Sequence, residues 1–90
     1  MDIRVAFGKN LRRFRLQAGL SQEAVAERMS VDRAHVSSME RGLQNVTLLT
    51  IWEAAQAVAC APADLLATVG DEPVVGAAVV KAPRRRRTKS

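Results

Sequence analysis

Apolar residues recur along the first two-thirds of the chain with the period of an α-helix. Ile3, Phe7, Leu11 and Phe14 are spaced by four, four and three, which puts them on one side of a helix from Ile3 to Gln17. Arg4, Lys9, Arg12, Arg13 and Arg15 occupy the rest of that cylinder, and Gly19 is its stop. Ser21 then offers an N-cap for a second helix to about Met29, with Glu23 in the first turn, where the helix dipole favours an acid. Val25, Ala26 and Met29 share its inward face. A third helix is predicted from Arg33 to Arg41, capped by Asp32 and stopped by Gly42, with Val36 and Met39 inward. Thr47 caps a fourth helix to about Ala59 whose inward stripe is Leu48, Ile51, Ala55 and Val58. Pro62, a favoured first helical residue, opens a short fifth helix that carries Leu65 and Leu66 into the core.

Nothing in residues 1–67 alternates with period two, so the expected fold class is all-α, five helices in one domain, 1–67. From residue 68 to 90 the helical pattern gives way to a Val/Ala/Gly linker and the run "PRRRR", read as a basic tail without regular structure.

The second and third helices are joined by a break of three or four residues. Such helices cross closely only where a small side chain sits at the crossing. Ala26 is that residue, with Val36 packing over it and Val31 plugging the turn. Gln22, Ala26, Val31, Val36 and Met39 therefore fall at the offsets of a helix-turn-helix. The outward face of the third helix carries Arg33, Ala34, Ser37, Ser38 and Arg41 and no acid at its centre. A helix entering the major groove of DNA must be slim and must not turn carboxylates toward phosphates.

These motifs give the chain a specific resemblance. "GLSQEAVAE", "ERG" after the third helix and "NVTLLTI" into the fourth resemble the lambda-repressor-like helix-turn-helix family, also called XRE or Cro/C1, over about Phe7 to Leu66. The resemblance implies a five-helix domain, a homodimer, and binding to a palindromic operator in double-stranded DNA. It implies base-reading roles for Arg33, Ala34, Ser37 and Ser38. Gln22 matches a residue that contacts phosphate and braces the recognition helix, while Arg41, Asn45 and Thr47 match a loop that grips the DNA backbone; His35, on the third helix, is read apart from the resemblance as a surface residue beside the DNA, a candidate for phosphate contact. Arg15 and Glu40 match a structural ion pair. The chain departs from the family pattern at Ser30, where a turn glycine is common, at Ala61, where a helix cap is usual, and at Val46, which replaces a common proline.

Charge changes this picture little. Residues 1–67 hold eight Lys/Arg and seven Asp/Glu, a net +1, whereas residues 68–90 hold six and two, a net +4. Most of the basic excess is thus outside the expected domain, where each arginine set on a duplex phosphate would add about 0.9 to the salt dependence of binding. The single cysteine, Cys60, excludes an intramolecular disulfide and fits a reducing cytosol and a core position. His35 is the only histidine, and Ser37, His35 and Asp32 stand on one short helix in capping and groove-facing places, so neither a metal site nor a catalytic triad is expected. No phosphate loop or HExxH occurs. The expectation is a non-enzyme without cofactor or metal. No charged-then-apolar pattern opens the chain, and the run Val74–Val80 falls far short of the roughly 20 residues of a spanning helix. The expected location is cytoplasmic, nucleoid-associated, in a bacterium or phage, with no membrane partner.

Leu49, Trp52 and Gln56 share a face of the fourth helix turned away from its inward stripe. Cover by a loop or by the tail competes there with a dimer contact, and an apolar pair of this size on a surface favours the dimer. Two alternatives use the same DNA-binding domain: the antitoxin of a toxin–antitoxin pair, with a toxin as partner, and a restriction–modification controller.

Overall fold

The computed structural model describes residues 2–68, and all regular structure among them is helical. The elements are α1 (Ile3–Gln17), α2 (Gln22–Met29), α3 (Arg33–Glu40), α4 (Leu48–Val58) and α5 (Pro62–Leu65). The linker and the arginine run lie, from residue 69 onward, outside the described residues.

Local chemistry accounts for most of the helix ends. Ser21 Oγ accepts from the Ala24 N–H at 3.0 Å, and Thr47 Oγ1 accepts from the Thr50 N–H at 3.1 Å, so each satisfies a first-turn donor that has no partner inside its helix. Asp2 does the same for α1 through the Arg4 N–H. Asp32 occupies the N-cap position of α3, but its side chain makes no capping bond. At α5, Ala61 has no side-chain acceptor, and only the reciprocal half of a capping box forms, with the Ala61 N–H donating to Asp64 Oδ2 at 3.3 Å.

The four longer helices close alike. Leu20, Val31, Leu43 and Cys60 each donate their N–H to the carbonyl five residues back, on Arg15, Ala26, Ser38 and Ala55. This closure needs a left-handed residue one position earlier. Gly19 and Gly42 provide it at φ 73° and 77°, whereas Ser30 and Ala59 adopt φ 60° and 61° with a Cβ in place.

The core is formed by Phe7, Leu11, Val25, Ala26, Met29, Val36, Met39, Ile51, Ala54, Ala55, Ala57, Val58 and Leu65, with Phe14, Val31, Val46 and Cys60 half-buried against it. Three sequence expectations need correction. Leu48 is 85% exposed: it is the first residue of α4, and a helical side chain leans toward the N-terminus, here past the end of the helix, where nothing packs. Ile3 is 49% exposed for the same reason at the start of α1. Leu66 is 38% exposed, because α5 is a single turn with one inward position, filled by Leu65.

Two close approaches fix how α1 sits on its neighbours. Gly8 has no room for a side chain: a Cβ there would lie 2.5 Å from the Met39 carbonyl oxygen and 2.6 Å from that of Glu40. The end of α3 thus rests directly on the α1 backbone. Asn10, buried, donates from Nδ2 to the carbonyls of Leu65 at 3.0 Å and Ala67 at 2.7 Å, tying α1 to the otherwise unsatisfied end of α5.

Candidate nucleic-acid interface

α2 and α3 pack across Ala26 and Val36, both buried, with Val31 half-buried in the turn. With Val36 and Met39 turned inward, α3 leaves Arg33 and Ala34 exposed and His35, Ser37 and Ser38 half-buried. Arg41 lies exposed at its end. The four residues matched to base reading therefore share the outward side of one short helix, and the two serines sit deeper than Arg33 and Ala34.

The only carboxylate within α3 is withdrawn from that face. Arg15 donates from Nε to Glu40 Oε2 at 2.6 Å and from Nη2 to Oε1 at 3.1 Å, a two-pronged pairing with both side chains more than nine-tenths buried. Arg15 Nη1 also donates to the Leu20 carbonyl at 3.0 Å. Glu40 Oε1 accepts in addition from Gln22 Nε2 at 3.0 Å, and Gln22 Oε1 in turn accepts from Arg33 Nη1 at 3.3 Å. One chain of hydrogen bonds thus runs from the buried pair through Gln22 to the exposed guanidinium at the start of α3. It restricts the rotamers of Arg33 without neutralising its charge, since Gln22 is uncharged.

The second end of the face is set by the loop between α3 and α4. Gln44 Nε2 donates to Ser38 Oγ at 3.0 Å, so one lone pair of that hydroxyl is occupied while its O–H remains a donor. Asn45, exposed, accepts from Arg4 Nη1 at 3.3 Å through Oδ1, which leaves its amide donors without a partner among the described residues. Thr47 is exposed, and besides capping α4 its hydroxyl shares a bond with Thr50 Oγ1 at 3.0 Å. Arg4 is itself paired with Asp2, Nη2 to Oδ2 at 2.9 Å. The hydrogen bonds from Arg4 hold the Asp2 carboxyl below the usual carboxylate range. Arg41, Asn45 and Thr47 thus follow one another along this exposed edge beyond α3.

On the far side of α4, Leu49 is 63% and Trp52 53% exposed, with Gln56 exposed beside them. Leu48, expected in the core, extends this apolar patch instead. Cys60 is half-buried, and burial followed by the nearby Asp64 carboxylate pushes its thiol up, away from the reactive thiolate. Among the described residues no group of three His, Cys, Asp or Glu side chains could hold a metal ion, and no helix is long and apolar enough to cross a membrane.

Sequence reasoning overlooked Gly8, Asn10, Gln44 and the buried Ala54 and Ala57. Gly8 and Asn10 did leave a signal. Each interrupts a strong helical pattern with a poor helix former, which marks a close backbone approach or a buried polar contact.

Comparison with known proteins agrees with this geometry. The sequence model of the helix-turn-helix family matches residues 11–65. An uncharacterized HTH-type transcriptional regulator of Sinorhizobium fredii, y4dJ, is 37% identical over 73 residues, covering 81% of this chain and 95% of that protein. Control protein C.BamHI of Bacillus amyloliquefaciens is 37% identical over 73 residues, covering 78% and 90%. Among solved structures, the restriction-modification controller protein C.AhdI of Aeromonas hydrophila superposes with a TM-score of 0.66 at 42% identity, over 69% of this chain and 94% of that one. The chain belongs to the helix-turn-helix family in its lambda-repressor-like form and is a DNA-binding transcriptional regulator.

Proposed function

We propose that this regulator binds as a homodimer to a palindromic operator, with α3 of each subunit in successive major grooves about 34 Å apart. Arg33, Ser37 and Ser38 read base edges and Ala34 contacts a thymine methyl, while Gln22, Arg41, Asn45, Thr47 and His35 fix position on the phosphates. The observation behind this reading is the tethering of Arg33 through Gln22 to the buried Arg15–Glu40 pair. A solvated arginine needs no such support, but a base-reading one gains from being held in place before it binds. Leu49, Trp52 and Gln56 form the dimer contact. The protein acts by occupying its site, without catalysis, in the cytoplasm, and the arginines of residues 84–87 add sequence-independent affinity.

The test is selection of bound sequences from a random duplex pool with the full chain, alongside Arg33→Ala. An inverted repeat with about one-turn spacing is expected, with Arg33→Ala losing preference at one base pair and about 1–3 kcal/mol. No enriched sequence, or equal weakening by Arg33→Ala on every sequence, overturns the assignment.

The restriction–modification controller is a more specific version. It is favoured by likeness to a control protein along 90% of that protein's length and to the C.AhdI controller. Nuclease and methyltransferase genes beside this one, with the selected repeat upstream of them, would establish it. A toxin partner has no comparable observation behind it.

A further inference from the structure

Beside the start of α3 lies an open cleft of about 580 Å³, lined by Arg12, Arg15, Ser21, Gln22, Glu23 and Arg33. Gln22 and Arg33 belong to the DNA-facing set, and Arg15 is turned inward to Glu40. Arg12 is the remaining cation of the lining and has no role in the reading above.

The α1 arginines differ in their commitments. Arg4 pairs with Asp2, Arg13 donates to Asn10 Oδ1 and lies over the Phe14 ring, and Arg15 pairs with Glu40. Arg12 is exposed, and its side chain makes no hydrogen bond or ion pair among the described residues. It stands one turn before Arg15 on α1, and both line the cleft. With Arg15 offset by Glu40, the cleft presents Arg12 and Arg33 against the single carboxylate of Glu23, an excess of positive charge open to solvent. Gln22 adds amide hydrogen-bonding capacity between them. This is the chemistry of a phosphodiester seat.

We propose that Arg12 is a DNA-backbone contact, so that the footprint of the regulator extends from α2 and α3 onto α1, with one phosphate held between Arg12 and Gln22 while Arg33 stays free to reach a base. The proposal rests on the DNA-reading function above. Because the contact is to phosphate, it adds affinity without base preference.

The experiment measures binding of the full chain to its selected duplex across a range of salt concentrations, for the parent, Arg12→Ala, Arg12→Lys and Lys9→Ala. Arg12→Ala should lower the slope of log affinity against log salt by about 0.9 per bound subunit and should select the same sequence as the parent. Arg12→Lys should retain the slope. Lys9→Ala, which removes the same charge from an exposed α1 position outside the cleft, should leave it unchanged. A parental slope in Arg12→Ala overturns the proposal, as does an equal loss in Lys9→Ala, which would mark a diffuse field instead of a seat. If the parent itself binds all sequences alike while the Arg12→Ala slope still falls, the operator-reading function fails and the contact stands. If the parent binds no duplex, both fail.

Discussion

Arg15 and Glu40 meet through two hydrogen bonds, at 2.6 and 3.1 Å, in the interior between α1 and the end of α3. The pair joins α1 to α3 and, through Gln22, holds Arg33 at the surface. One electrostatic contact therefore serves both the fold and the placement of Arg33 on the exposed face of α3.

Removing one partner should be costly in both respects. Glu40→Ala leaves the Arg15 guanidinium buried without its counter-charge, for an expected loss of about 3–5 kcal/mol, read as a lower urea midpoint with an unchanged m-value. The double variant Arg15→Met/Glu40→Leu should recover most of that stability, since no buried charge remains. It should not recover full base preference at the position read by Arg33, because Gln22 has lost its anchor. Full recovery of preference would show that the relay does not aim Arg33.

Gly8→Ala sets two effects against each other. Helix propensity alone favours alanine by about 1 kcal/mol. The new methyl would press on the backbone carbonyls of Met39 and Glu40 at 2.5 and 2.6 Å, and backbone cannot rotate away. Crowding of this kind costs about 1–3 kcal/mol. We expect a net drop in melting temperature; a rise would mean that α1 and α3 separate freely.

Asn10→Ala removes the donor shared by the Leu65 and Ala67 carbonyls. The expected loss is about 1–3 kcal/mol, with faster amide hydrogen exchange in α5 than in α2. Asn10→Asp should be worse at neutral pH, because it faces both carbonyls with a carboxylate. A parental melting temperature for Asn10→Ala would argue that the amide donor contributes nothing.

Ser30→Gly and Ala59→Gly should each stabilise the domain. Both positions are left-handed, at φ 60° and 61°, where a Cβ costs about 1 kcal/mol or more and glycine does not. Part of the gain is offset by the greater freedom of glycine in the unfolded chain. The test is thermal unfolding; a lower melting temperature for either variant would place that residue's strain elsewhere.

The sequence by itself determined the helices, their order and most of their inward faces. Period and caps are local: Ser21 and Thr47 bond to N–H groups three residues on, and Val25, Ala26, Met29, Val36, Met39, Ile51 and Val58 are buried where the 3.6-residue repeat places them. Arg15 with Glu40 was legible only through family resemblance, since nothing in either residue's neighbourhood names a partner 25 positions away. Only the tertiary structure decided the exposure of Leu48, Ile3 and Leu66, the contact of Gly8 with two carbonyls, the clamp made by Asn10 and the bond from Gln44 to Ser38. The physical reason is common to all of them. A periodic pattern states which way a residue points but not what stands there, and at helix ends and crossings that is set by where other elements begin and stop.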